Sequence, residues 1–382
     1  QVGLGIATTA IVSRTLGAGD ELRAYRLGGL IITVGGSLVF VIGVALWFLQ
    51  EHIMTALGAE ESLLPLIRQY WVPWLMAAWT GAFLYFGYSV CRSHGDTKLP
   101  GYMMVATSLT NIALDPLYIF VFGWGLPGAA WATITSFGIG SLVIYPKLLK
   151  RHWVRFDLQE LALWKALKQL NGIMAPAMVS QLMPAVSAML ATALVAGFGS
   201  AAVAAWGLGT RLEFFSIVVV LALTMSMPPM IGRMLGAGDI EQIRKLVRLA
   251  VRFVVVWQLA IGLAWVVASG LVSELFSSDG DVQEVLAGYL LRVPLSYSGL
   301  GVCMLMVSVC NALGLAMRAL LVSTLRLFLC FLPLLWIGSQ INGIYGLMSG
   351  ALVGNLFAGA MAYSFYRSGM ARLKAEVASG KA

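Results

Sequence analysis

Apolar runs of about twenty residues follow one another along this whole chain, and that pattern decides most of what it can fold into. Wound as a helix, a run of that length matches the hydrocarbon thickness of a bilayer. Inside lipid every backbone N–H and C=O must be satisfied within the protein, so only helices or a closed barrel can cross. The runs here are continuous rather than alternating, which excludes a barrel. Only 11% of the residues are charged and 59% are hydrophobic, where a soluble domain carries about a quarter charged. The fold class is therefore an all-α polytopic membrane protein. Read between glycines, prolines and charges, the runs predict helices over 27–49, 70–91, 101–121, 128–149, 172–196, 201–231, 249–272, 288–310, 319–337 and 346–366, with a shorter one over 1–16. That makes ten full crossings and a remnant, about eleven helices.

The charges test this partition. With the loop after the first helix set in the cytoplasm and sides alternating from there, the inner segments hold 21 of the 25 Lys and Arg residues. The outer loops hold Arg68 and Arg292, and Arg211 and Arg326 fall within crossings. One misplaced crossing would invert every later loop and destroy that bias. The outer loops are acidic instead, with Glu51, Glu60, Glu61, Glu274, Asp279, Asp281 and Glu284. The expected setting is a multi-pass protein of the inner membrane with its C-terminus in the cytoplasm. The net charge of +8 thus reflects topology and does not point to nucleic acid. Four cysteines (Cys91, Cys303, Cys310, Cys330) sit in or beside apolar runs and read as small core residues. The histidines His52, His94 and His152 are isolated in loops, and no HExxH, paired intramembrane carboxylates or Cys–His set suggests an enzyme.

The string LGAGD occurs at 16–20 and again at 235–239. The same 219-residue offset brings Leu57 to Phe276, Tyr70 to Tyr289, Gly95 to Gly314, and Ser89, Val90 and Cys91 to the identical Ser308, Val309 and Cys310. With a one-residue slip, Gly125 and Gly128 meet Gly343 and Gly346. The chain is an internal duplication: two parallel, pseudo-symmetric six-helix bundles, the first truncated at its N-terminus. The expected boundaries are an N-terminal bundle over 1–150, a cytoplasmic linker over 151–171, a C-terminal bundle over 172–366 and a cytoplasmic tail over 367–382. Within LGAGD, Gly17 and Gly236 are expected to end a helix in a left-handed turn, and Asp20 and Asp239 to cap the next one. Asp239 and Gln242 have capping-box spacing.

Four ionisable residues lie inside crossings: Asp115, Arg211, Glu213 and Arg326. Each costs about 2.5–3.5 kcal/mol at a helix centre, so each calls for a reason. Met104, Ser108, Asn111, Asp115 and Tyr118 share one helical face. Pro116 lacks an N–H and frees the carbonyl of Ile112. A carboxylate, an amide oxygen and a freed carbonyl, joined by the hydroxyl of Thr133, could hold Na⁺. Alternatively the buried carboxyl carries a proton. Glu213 falls near mid-membrane and Arg211, two residues away, points elsewhere. A second cation site and a structural ion pair both fit Glu213 and Arg211. Arg326, nearer the inner surface, is expected to snorkel. Asp115 aligns with Leu334 and Asn111 with Cys330, so ion coupling is expected in the first half. Met104, Ser108, Tyr118 and Gln181 are candidates to line a cavity, and 18 methionines suit an adaptable one.

The stretches "VGLGIATTAIVSRTLGAGD" (2–20), "NIALDP" (111–116), "GLPGAAWAT" (125–133) and "WGLGTRLEFF" (206–215) together resemble the multidrug and toxic compound extrusion (MATE) family, over essentially the whole chain. The resemblance implies a secondary antiporter that exports amphipathic or cationic drugs in exchange for H⁺ or Na⁺, by alternating access of two bundles and without a cofactor. It implies a monomer whose partners are small substrates and the bilayer. In the DinF-like branch an Asn and an Asp one turn apart on the fifth helix, with a Thr on the sixth, form the ion site, and Asn111, Asp115 and Thr133 match that pattern. That branch adds an Asp on the first helix, which this chain is expected to lack. The NorM-like branch places a Glu on the seventh helix, where this sequence has Gln181 and no acid. A lipid-linked oligosaccharide flippase of the same superfamily is the alternative. Such a flippase would line its cavity with several Arg and Lys, and here only Arg211 and Arg326 qualify. An intramembrane enzyme is the distant alternative.

Overall fold

The computed structural model describes residues 1–56, 62, 64–157 and 161–378. Leu57, Glu60, Glu61 and the last residues of the tail lie outside them. The helices are α1 (Val2–Gly17), α2 (Glu21–Ala56), α3 (Leu64–Ser93), α4 (Lys98–Pro116), α5 (Gly125–Lys150), α6 (Leu163–Ala196), α7 (Ser200–Ser216), α8 (Val218–Gly236), α9 (Ile240–Phe276), α10 (Gly280–Leu290), α11 (Tyr297–Ala312), α12 (Ala316–Leu325) and α13 (Leu332–Ala378). Eight stretches of the described residues are long and apolar enough to cross a membrane. The tyrosine- and tryptophan-bearing α3 is not among them, although it forms one helix over the predicted 70–91.

Several predicted crossings are jointed. The run 201–231 is α7 and α8 meeting at Ile217, where the helical ladder still runs through Ile217 N–H to Glu213 O (3.0 Å) and Leu221 N–H to Ile217 O (2.9 Å). The bend is held from α9: Gln258 Nε2 donates to the Ser216 carbonyl (3.1 Å) and Trp265 Nε1 to the Ser216 hydroxyl (2.8 Å). The predicted 288–310 begins earlier, as α10, and passes through a 3₁₀ turn at Val293–Ser296 into α11. Within α13 the chain breaks at Asn342 (φ −144°, ψ 38°) and Gly343 (φ 55°, ψ −137°), separating the two predicted crossings on either side. Those two limbs pack backbone to backbone, since a Cβ on Gly350 would overlap the Leu334 carbonyl and one on Gly338 the Gly346 carbonyl.

Two compact units divide the chain, Gln1–Asn171 and Gly172–Ala382. In the first, α3 packs on α1, α2 and α5, and α4 packs on α5. In the second, α11 is the centre, packed against α8, α9, α12 and α13 and almost wholly buried. All four cysteines are buried thiols.

The LGAGD turns differ from expectation in one respect. Gly17 and Gly236 are the last helical residues, and the left-handed residues are Gly19 (φ +82°) and Gly238 (φ +75°). Gly19 N–H bonds Leu16 O (3.1 Å) and Asp20 N–H bonds Thr15 O (3.2 Å). In the second copy Gly238 N–H bonds Leu235 O (3.1 Å) and Asp239 N–H bonds Met234 O (2.9 Å). This is the Schellman pattern, in which the residue after the helix must turn left-handed. Asp20 Oδ1 then accepts from Arg23 N–H and Asp239 Oδ1 from Gln242 N–H, each at 3.1 Å, capping α2 and α9.

Candidate functional site

Local chemistry shapes the end of α4. Pro116 cannot donate to the ladder, and the next residues, Leu117–Val121, wind as a π-helical turn in which Phe122 N–H reaches back five residues to Leu117 O (2.9 Å). Asp115 sits just before this turn. The carboxyl is half-buried, as are Asn111 one turn earlier and Thr133 on α5. Asn111 Nδ2 donates to Asp115 Oδ1 (3.4 Å) and to Thr133 Oγ1 (3.3 Å), while the Thr133 hydroxyl donates to Ala129 O (3.0 Å). Three side chains from two helices therefore meet around one amide. Tyr118 and Thr135 are joined hydroxyl to hydroxyl at 3.3 Å, and the Tyr118 ring packs on Phe122 and Trp124. Met104 and Ser108, earlier on the same face, are exposed, and so is Gln181 on α6. The structure thus gathers Asn111, Asp115, Thr133 and Tyr118, and leaves Met104, Ser108 and Gln181 on open faces of their helices.

Glu213 is half-buried on α7 and accepts from the Tyr289 hydroxyl of α10 at 3.4 Å. Arg211 is exposed, and no ion pair joins it to Glu213 among the described residues. The cation within electrostatic reach of Glu213 is Arg326, half-buried at the first residue of a second π-helical turn, Arg326–Phe331. Arg326, expected to snorkel, acts electrostatically on this interior carboxylate. Tyr289 and Tyr297 are fully buried beside this pair. Sequence reasoning missed Tyr289, Tyr297 and Arg326 as companions of Glu213. Their one sequence signal was a buried charge on each side that lacked a partner on its own helix.

The MatE family model matches residues 1–117 and 176–337. The chain belongs to the MatE family. The Vibrio cholerae MATE transporter VcmN, solved in a bent form, superposes with a TM-score of 0.96 at 51% identity, over 98% of this chain and 85% of that one. A Shewanella oneidensis protein named FAD transporter is 31% identical over 95% of this chain and 81% of its own length. A Bacillus subtilis protein named probable multidrug resistance protein YpnP is 27% identical over 96% and 83%. This MatE protein is thus a multi-pass membrane transporter and not an enzyme, with the two-bundle helical fold of its relatives.

Proposed function

We propose that this MatE protein is a secondary antiporter of the inner membrane, C-terminus in the cytoplasm, that exports amphipathic or cationic compounds against an inward flow of H⁺ or Na⁺. Asp115 is its coupling residue. The observation that carries the proposal is the meeting of Asn111, Asp115 and Thr133 around one amide inside the first unit. A carboxylate and a hydroxyl are hard oxygen ligands of the kind Na⁺ takes, and an intramembrane carboxyl is equally able to exchange a proton. Binding or release of the cation then biases which side of the membrane the transporter opens to. The test is dye accumulation in cells carrying the wild type or Asp115→Asn, with proton and sodium gradients imposed separately. Loss of efflux under one gradient assigns the coupling ion, and normal efflux under both overturns the assignment. A second reading, export of a flavin dinucleotide, is favoured by the relative named FAD transporter. Flavin in the medium of expressing and non-expressing cells separates the two.

A further inference from the structure

At the end of the second unit that carries α9's first turns, Arg244 and Arg248 of α9 face Tyr363, Tyr366 and Arg367 of α13 across a cavity of about 270 Å³. Met370 and Tyr366 are buried and form its floor, while Arg248 and Arg367 are exposed at its rim. Both α9 arginines act electrostatically on Tyr366. Three guanidinium groups from helices more than a hundred residues apart in sequence thus converge on one concavity. Among the described residues none of the three has a carboxylate partner, although other arginines do: Arg151 pairs with Asp96 and Arg68 with Glu51, each at 2.7 Å. Arg318, close by on α12, is satisfied by the Phe365 carbonyl and the Ser368 hydroxyl. Guanidinium groups that converge on one concavity favour an anion among them, and the planar fork of Arg suits phosphate oxygens.

We infer that this cavity binds the headgroup phosphate of an anionic phospholipid. Its volume lies just below the range of about 300–1,000 Å³ that holds drug-sized ligands, which suits a headgroup. The apolar surface continues in the right direction. Leu259 shares the face of Arg248 on α9 and Leu356 that of Arg367 on α13, and both are exposed where acyl chains would lie. The charge bias places this rim in the cytoplasmic leaflet, where anionic headgroups attract basic clusters. The inference is independent of the ion site at Asp115.

The test is thermal unfolding of the detergent-purified chain titrated with dioleoylphosphatidylglycerol or dioleoylphosphatidylcholine, and in parallel with inorganic phosphate or pyrophosphate. Phosphatidylglycerol is expected to raise the midpoint at concentrations where phosphatidylcholine and the soluble phosphates do not. The variant R244Q/R248Q/R367Q is expected to respond only at much higher phosphatidylglycerol, about fivefold for each arginine removed. The control K245Q/K374Q, neutralising exposed lysines at the same end that do not line the cavity, is expected to weaken the response less for each charge removed, and an equal loss per charge overturns the site in favour of general surface attraction. An unchanged response in the triple variant, or equal stabilisation by phosphatidylcholine, overturns the site. Equal stabilisation by pyrophosphate reassigns it to a soluble phosphate and overturns the lipid. Should the triple variant fail to fold, native mass spectrometry of wild type and R248Q gives the same decision through the phosphatidylglycerol each retains.

Discussion

Asn111 is the residue on which the candidate coupling site turns. Its amide donates to a carboxylate on its own helix and a hydroxyl on the next, at 3.3–3.4 Å, longer than the 2.9–3.0 Å of a well-formed bond. The oxygens of Asp115 and Thr133 are thus presented together without being locked. Asn111 and Asp115 were readable in the sequence because a polar stripe at helical spacing cannot face lipid. The Glu213 surroundings were not, because Tyr289 and Arg326 approach from other helices and nothing in local spacing encodes that. A residue outside the membrane gives a pH prediction. Burial alone would raise the Asp96 carboxyl, but the Leu99 N–H (2.9 Å) and the Arg151 guanidinium (2.7 Å) outweigh it and hold the group below its ordinary value. A carboxyl lowered in the folded state adds stability above its unfolded pKa, and that stability is lost as pH falls through the folded value. The melting-temperature gap between wild type and Asp96→Asn is therefore expected to be constant above about pH 5 and to shrink below about pH 4. A gap that survives at pH 3 would show that the carboxylate charge is not what stabilises this loop.

At the scale of elements, the positions of helices were legible and their joints were not. Apolar length marks a crossing. The bend at Ile217 is held by donors from another helix, and each π-helical turn lies within two residues of a proline. A π-helical turn follows Pro116 directly, and the one at Arg326–Phe331 ends two residues before Pro333. Both turns lie beside an intramembrane ionisable residue, Asp115 in one case and Arg326 in the other. The LGAGD turn shows the limit of motif reading at its clearest, because the sequence offers two glycines and only backbone geometry selects between them. Gly19, at φ +82°, is expected to lose about 1–2 kcal/mol on substitution by alanine, the cost of placing a Cβ in the left-handed region. Gly17→Ala lies in regular helix and is expected to be neutral or slightly stabilising. Denaturant or thermal melts of the two variants decide the matter, and the reverse order would restore Gly17 as the turning residue.

For the whole molecule, the duplication is visible in the backbone as well as in the letters. Left-handed glycines recur at the predicted offset in Gly19 and Gly238 and in Gly95 and Gly314, and, with the one-residue slip, in Gly125 and Gly343. Turn chemistry was kept in both halves because each helix end needs it. The charged interior was not, since Leu334 and Cys330 stand where the first half has Asp115 and Asn111. One half has thus specialised around a carboxylate with neutral companions, the other around Glu213 within reach of Arg326. The orientation that places both LGAGD turns in the cytoplasm rests on charge bias, and thiol labelling tests it. The native cysteines are all buried, so a membrane-impermeant maleimide should report only introduced thiols. Asp20→Cys and Asp239→Cys are expected to react only after cells are permeabilised. Glu51→Cys and Asp281→Cys, both at exposed positions, are expected to react in intact cells. Because the repeat is parallel, the two LGAGD variants must behave alike. Labelling of one without the other would break the duplication itself, whereas inversion of all four would keep the duplication and overturn the orientation, and with it the leaflet assigned to the arginine-lined cavity.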